Sequence, residues 1–74
     1  MTREEILKAD EDMLQERWVE LMYNPKTYRP DQNEANKEYL MIGIRLKLMR
    51  KQYKEAAEFS EELMKRYGES LKED

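Results

Sequence analysis

The sequence predicts an all-α protein, a small three-helix bundle. Apolar residues recur at intervals of three and four along most of its 74 residues, as they do on one face of an α-helix. Charged residues make up 42% of the chain, and only 2 glycines and 2 prolines interrupt the pattern, a composition typical of solvated amphipathic helices. A chain of this length holds one domain at most, so residues 1–74 are predicted to form a single helical domain.

The first helix is predicted over residues 3–23. Thr2 and Glu5 have the spacing of a capping box, in which each side chain satisfies a backbone N–H group of the first turn. The apolar residues that follow share one helical face, and they are Ile6, Leu7, Met13, Leu14, Trp18, Leu21 and Met22. Pro25 ends this helix, because the residue before a proline is disfavoured in the helical conformation. An irregular connecting loop is expected over residues 24–31.

Asp10 and Arg17 interrupt the apolar face of the first helix, at positions flanked by Leu7, Leu14 and Leu21. A charge on a buried helix face costs several kcal/mol unless it has a partner. Two interpretations are open. Both side chains reach solvent from the edge of the apolar face. Alternatively, two copies of the helix pack antiparallel about a two-fold axis, so that Asp10 of each copy forms an ion pair with Arg17 of the other.

The second half of the chain carries a longer apolar stripe. Its members are Ala35, Tyr39, Ile42, Leu46, Met49, Tyr53, Ala56, Ser60, Leu63 and Tyr67. A helix predicted over residues 32–49, beginning at the capping pair Asp31 and Glu34, has a second strip roughly opposite the first. This second strip comprises Leu40, Met41, Ile44 and Leu48. A helix that is apolar on two faces is covered on two sides, so this helix is predicted to be the central one.

Two architectures differ in what the chain does after this strip ends. No helix breaker occurs between Ile44 and Tyr67, so one alternative is a two-helix protomer with a single long helix over residues 32–68, paired in a dimeric bundle through its heptad-like stripe. That helix would be about three times the mean length of ~12 residues for globular proteins. The other alternative is a turn at residues 50–52.

Gly43 favours the turn. A glycine inside a helix costs ~1 kcal/mol relative to alanine, and the close approach of another helix is a common reason for it. A chain that folds back would bring Ala56 and Ala57 against Gly43. We therefore predict a third helix over residues 52–68, followed by a frayed polar tail at residues 69–74.

One further pattern extends over about residues 36–68. Its members are Tyr39, Ile42, Gly43, Leu46, Tyr53, Ala56 and Leu63, together with the segment KQYKEAAEF. The pattern resembles one tetratricopeptide-type helical hairpin. It departs from that family in a turn one residue longer, in the absence of the usual turn glycine, and in Ser60, which stands where a large apolar residue is expected. The resemblance implies a hairpin with protein-binding character, and the first helix would be its capping neighbour.

The composition excludes several classes of active site. The chain has no cysteine and no histidine, so disulfides, thiolate chemistry, Cys/His zinc sites and imidazole-based triads are excluded. Its paired carboxylates, such as Glu61 and Glu62, are adjacent in sequence and do not face one another on a helix. We therefore predict no catalytic, cofactor-binding or metal-binding residues, and a protein that is not an enzyme.

The remaining prediction is a protein–protein interaction module, acting as an adaptor or as an inhibitor or regulator of a larger protein. Candidate partner-binding residues are Tyr28, Arg29, Leu40, Met41, Ile44 and Leu48. Tyrosine and arginine are enriched in interface hot spots, which singles out Tyr28 and Arg29 in the loop. A homodimer is expected as well, because a core this small gains stability from association.

The alternative function is a nucleic-acid-binding accessory protein, in which a dimer aligns Arg45, Arg50, Lys51 and Lys54. The net charge of -3 and the mixing of acidic with basic residues argue against it. The N-terminal sequence lacks the pattern of a secretory signal, and no apolar run approaches the ~20 residues of a membrane span. A cytoplasmic protein with no membrane segment is therefore expected.

Overall fold

The computed structural model describes residues 1–23 and 33–71. Within these residues the chain forms four helices, namely α1 (Arg3–Lys8), α2 (Glu11–Tyr23), α3 (Asn33–Met49) and α4 (Tyr53–Tyr67). The predicted all-α class is confirmed. The predicted loop at residues 24–31 and the predicted cap at Asp31 lie outside the described residues.

The predicted capping box at the start of α1 is present. The Glu5 backbone N–H donates to Thr2 Oγ1 over 3.2 Å, and the Thr2 N–H donates to Glu5 Oε1 over 2.9 Å. These two bonds satisfy donors that the first turn of a helix leaves without backbone partners.

The prediction of a single helix over residues 3–23 is wrong, because the helix is interrupted between α1 and α2. Ala9 is extended, with φ -71° and ψ 148°, and ends α1. Asp10 then accepts a hydrogen bond from the Met13 backbone N–H at its Oδ1, over 2.9 Å. An aspartate competes with the helix for local backbone donors and is favoured at such an N-cap position. Asp10 therefore starts a second helix instead of interrupting the apolar face of one long helix.

The predicted turn after α3 is confirmed, and it ends the helix with a Schellman motif. The Gln52 N–H donates to the Lys47 carbonyl over 2.8 Å, and the Lys51 N–H donates to the Leu48 carbonyl over 3.1 Å. Lys51 has φ 60°, the left-handed conformation that glycine usually supplies at this position. An unbroken helix over residues 32–68 would be about 55 Å long, whereas the longest dimension of the structure is 30 Å.

α3 is the central helix, as predicted. It contacts each of the other three helices, and every residue from Leu40 to Ile44 is buried. A helix buried around its whole circumference needs neighbours on all sides, which three separate helices provide here. The fully buried side chains are Ile6, Leu14, Leu21, Ile42, Leu46 and Leu63, so every helix contributes to one core.

Gly43 marks a close helix approach, but its neighbours are not the predicted ones. A Cβ atom at Gly43 would lie 3.4 Å from two carbon atoms of the Phe59 ring and 3.4 Å from Trp18 Nε1. Aromatic rings of α4 and α2 therefore occupy the place predicted for Ala56 and Ala57.

Three aromatic rings surround this glycine. Trp18 stacks on Tyr39 with ring centroids 5.4 Å apart, and Phe59 meets both rings edge-on, at 6.5 Å and 6.2 Å. Lys47 Nζ lies 5.9 Å from the centroid of the Trp18 ring, within range of a cation–π interaction. Trp18 Nε1 is buried with no hydrogen-bond partner among the described residues.

The predicted frayed tail is wrong for residues 69–71. Leu71 is buried in the core, and the Ser70 carbonyl accepts a hydrogen bond from Arg3 Nε over 3.2 Å. Glu69 also forms an ion pair with Lys37 of α3, at 3.2 Å. Gly68 is in the left-handed conformation, with φ 65°, and ends α4. Residues 69–71 then run back along the bundle, where they contact Arg3 and Lys37. Residues 72–74 lie outside the described residues.

No helix in the described ranges is both long enough and apolar enough to cross a membrane.

Lys51→Gly should stabilise the protein by about 0.5–1 kcal/mol. The left-handed conformation costs a side-chain-bearing residue ~1–2 kcal/mol, and the greater freedom of glycine in the unfolded chain offsets part of the relief. The free energy of unfolding, measured with urea, tests this. Lys51→Ala is the control, because it removes the same side chain but keeps the Cβ atom. Equal stabilisation by both variants would contradict the strain assigned to this turn.

Gly43→Leu should destabilise the protein by about 1–3 kcal/mol, because a leucine side chain collides with the Phe59 and Trp18 rings. Gly43→Ala should change the free energy of unfolding by less than about 1 kcal/mol, since better helix propensity offsets one tight contact. Thermal or urea unfolding of the two variants measures the difference. A leucine tolerated as well as alanine would place the aromatic rings elsewhere.

Candidate protein-binding groove

An apolar groove of about 610 Å³ opens between α1, α3 and α4. It is lined by Leu7, Ile44, Arg45, Leu48, Tyr53, Ala56, Ala57, Ser60 and Leu71. Arg45 is the one charged side chain among these nine. A concave, mainly apolar surface with few polar groups is the usual form of a binding site.

The groove exists because α1 covers only part of the α3–α4 hairpin. α1 has 6 residues and is about 9 Å long, whereas the 15 residues of α4 extend over about 22 Å. The α4 wall also presents small side chains, Ala56, Ala57 and Ser60, where larger ones would fill the space. A short cover and a wall of small residues together leave this side of the hairpin open.

Two large apolar side chains at the groove are exposed to solvent. Leu48 is 40% exposed and Tyr53 is 62% exposed, and they lie on either side of the turn that joins α3 to α4. Exposing such side chains is unfavourable by roughly 25 cal/mol per Å² of apolar surface. A partner that covered both would remove this surface from water.

Arg45 extends along the wall of the groove next to α1. Its Nη2 lies 3.5 Å from the Leu7 carbonyl oxygen, at the limit of a hydrogen bond. Its Nε is buried and has no acceptor among the described residues. Burying a charged donor without an acceptor is costly, so this guanidinium is incompletely satisfied in the free protein.

The strip predicted to bind a partner is mostly part of the core. Leu40, Met41 and Ile44 are buried and belong to the same core cluster as Ile6 of α1 and Leu71. In this conformation Leu40 and Met41 are not available to a partner, while Ile44 lines the groove and Leu48 lies exposed beside it. The other two candidates, Tyr28 and Arg29, lie outside the described residues.

Asp10 and Arg17, predicted as an ion pair between two copies, have partners within their own chain. Arg17 donates to both carboxylate oxygens of Glu38, from Nε over 2.7 Å and from Nη2 over 3.1 Å. It also donates to Glu20 over 2.9 Å. Asp10 caps α2, so neither charge is left unpaired on a buried face. The pairing across a dimer stays a prediction.

The Glu38 carboxylate joins Met1, which precedes α1, and Arg17 of α2 to the central helix. Its Oε2 atom accepts both the Arg17 bond and a bond from the Met1 amino group, each over 2.7 Å. Burial raises the pKa of Glu38, but the hydrogen bonds from Arg17 and Met1 outweigh it and hold this pKa below the ordinary value of 4.5. The same hydrogen bonds, which Arg17 donates to Glu38, raise the pKa of Arg17. Both groups stay charged at neutral pH.

The basic residues of the alternative nucleic-acid function lie against different helices. Arg45 borders the groove beside α1, whereas Arg50 reaches α2, where it donates to Gln15 over 2.6 Å and lies 3.5 Å from Glu11. Lys51 and Lys54 are exposed at the turn and the start of α4. Within one chain these four cations do not form a continuous face, and their alignment in a dimer stays a prediction.

Sequence reasoning missed most of the groove. It did not identify Leu7, Ala57 or Leu71 as lining residues, and it assigned Ala56 to the wrong contact. The available signal was Ser60, a small polar residue at a position of the apolar stripe where a large side chain was expected. A small residue in such a stripe indicates missing volume on the buried side of the helix.

Among the described residues, no group of three or more acidic side chains is placed to hold a metal ion.

Comparisons with protein-family models, with curated proteins and with solved structures find no match to this chain.

Glu38→Gln should lower the free energy of unfolding at pH 7 by about 1–3 kcal/mol, because two cationic donors lose a charged acceptor. The pKa of Glu38 is lower in the folded than in the unfolded protein, so its contribution is complete above about pH 4.5 and is lost as pH falls through the folded pKa. The variant should therefore lose less stability than the wild type between pH 5 and roughly pH 3. Part of the pH dependence of stability remains in the variant, because the hydrogen bond from the Thr2 N–H also lowers the pKa of Glu5.

Glu20→Gln is the matched control, since it removes the other carboxylate bound to Arg17. Glu20 is about half exposed, so its loss should cost less than about 0.5 kcal/mol. Urea unfolding at a series of pH values measures both variants. Equal costs for the two variants would contradict the role given to Glu38.

Proposed function

We propose that this protein is a non-enzymatic protein-binding module whose groove receives one amphipathic α-helix of a partner protein. The observation that carries the proposal is the open side of the α3–α4 hairpin, where small side chains form one wall and Leu48 and Tyr53 are exposed. Helices are recognised in apolar grooves of this kind through side chains spaced at i, i+3, i+4 and i+7.

The walls of the groove suit a helix. Ile44 and Leu48 lie one turn apart on α3, and Ala56, Ala57 and Ser60 lie within two turns on the antiparallel α4. Small side chains on a wall allow a third helix to approach closely, and its apolar side chains would fill the 610 Å³ of open space. A docked helix would extend the layer that the short α1 begins. The module would act as an adaptor, or as an inhibitor of the protein that contributes the helix.

The proposal keeps three predictions made from sequence. The chain self-associates as a homodimer, it acts in the cytoplasm, and the segment over about residues 36–68 serves as a tetratricopeptide-type binding hairpin. Sedimentation of the purified chain at micromolar concentration tests self-association. A monomer at all concentrations would contradict it. A dimer that Leu48→Asp dissociates would assign the groove to a second copy and would contradict a separate partner.

Leu48→Asp should abolish the binding of helical peptides to the groove. The probes are 20-residue peptides selected on the wild-type protein from a display library with apolar residues at i, i+3, i+4 and i+7. Placing a carboxylate where a leucine side chain is buried on binding should weaken the dissociation constant by about 10- to 100-fold or more. Fluorescence anisotropy with the synthesised peptides measures the change.

The control is Val19→Asp on α2, because Val19 is 38% exposed, almost the same as Leu48, and does not line the groove. Tyr53→Ala and Tyr23→Ala form a second matched pair, with exposures of 62% and 74%. Binding should fall for Leu48 and Tyr53 variants and stay unchanged for Val19 and Tyr23 variants. Peptides whose binding falls equally with the groove variants and with the control variants would contradict the proposal. A selection that yields no peptide would contradict it as well.

A further inference from the structure

We infer that the helix bound in the groove carries an acidic side chain that forms a bidentate ion pair with Arg45. This inference rests on the proposed function and specifies the chemistry of the partner. It follows from the position of the Arg45 guanidinium, the one charged group among the lining residues, which has no carboxylate partner among the described residues.

Arg45 differs from other arginines of this chain. Arg17 binds Glu38 at 2.7 Å, Arg66 binds Glu62 at 2.8 Å, and Arg50 lies 3.5 Å from Glu11. Arg45 has no ion pair among the described residues, and its one hydrogen bond is the 3.5 Å contact to a backbone carbonyl. Because none of the described acidic residues pairs with Arg45, we assign its acceptor to another molecule.

The Arg45 guanidinium is a group to which a carboxylate binds well. The two Nη atoms of a guanidinium form a planar fork that matches the two oxygens of a carboxylate, and such bidentate pairs are stronger than neutral hydrogen bonds. Arg45 Nε is buried and out of reach of a ligand in this conformation, so the partner's carboxylate would bind the two Nη atoms at the end of the side chain. A backbone carbonyl of the partner is a poorer acceptor, because the carbonyls in the middle of a helix are already bonded.

The position of Arg45 also places the acid on the partner helix. Arg45 lies beside Leu7 on the α1 side, while Leu48, Tyr53 and Ala57 line the remainder of the groove. The apolar face of the partner helix would fill this remainder. Its acidic residue would therefore lie at the edge of that face, on the side that meets α1.

The test compares two peptide selections from the same display library, one on the wild-type protein and one on Arg45→Gln. We expect wild-type binders to carry Asp or Glu at one fixed position beside their apolar residues, and Arg45→Gln binders to lack this preference. For the best wild-type peptide, synthesised with an amidated C terminus, Arg45→Gln should weaken binding about 10- to 100-fold. Replacing the peptide's acid by its amide should weaken binding to the wild type equally, and the two changes together should cost little more than either alone.

Arg66→Gln on the exposed side of α4 is the control and should leave binding unchanged. Changing the acid in the peptide tests the ion pair on the unaltered protein, so the inference stays falsifiable even if Arg45→Gln does not fold. Peptides that need Leu48 but show no acidic preference would overturn the inference and leave the proposed function intact. Dependence on a free C-terminal carboxylate would overturn the assignment to a side chain.

Two further results would overturn both the proposed function and this inference. Binding of laurate that depends on Arg45, in the absence of any groove-dependent peptide, would identify a site for a small amphiphilic carboxylate and overturn both proposals. Absence of every groove-dependent binder would overturn the proposed function and this inference with it.

Discussion

The requirement to bury α3 on all sides determines how the other three helices are arranged. The five consecutive residues from Leu40 to Ile44 are buried and lie around the whole circumference of this helix, and no single neighbour can bury them all. The chain meets this requirement by breaking the first predicted helix at Ala9, so that α1 and α2 cover different faces, and by folding α4 back along α3. The groove is the part of α3 and α4 that this cover leaves open, because α1 is too short to extend along the whole hairpin.

Two local features make the reversal of the chain possible. The turn after α3 satisfies its backbone donors although a lysine, not a glycine, takes the left-handed position at residue 51. Gly43 then lets α3 and the rings of Phe59 and Trp18 come together, which joins α2 and α4 through the central helix. Around Glu38, charged hydrogen bonds link Met1 and α2 to α3 as well. The open groove therefore lies on a bundle that is fixed from several sides.

The sequence predicted the helical class, the central helix and the turn, because these follow from the period of apolar residues and from one mid-helix glycine. It did not predict the break at Ala9, since Asp10 fits a helix face and an N-cap equally well by spacing alone. It assigned Leu40 and Met41 to partner binding, because a pattern shows that a face is apolar but not what covers it. The groove needs knowledge of where α1 ends and where Leu71 docks, which are tertiary properties.

The most direct test of this account is a solution NMR measurement of the contact between the Gly43 α-protons and the Phe59 ring protons. The experiment uses a mixture of isotope-labelled and unlabelled chains, with filtering that separates contacts within a chain from contacts between chains. The account predicts a strong nuclear Overhauser effect within one chain. A contact seen only between chains, or none at all, would show that α4 does not fold back on α3 of its own chain and would remove the groove with it.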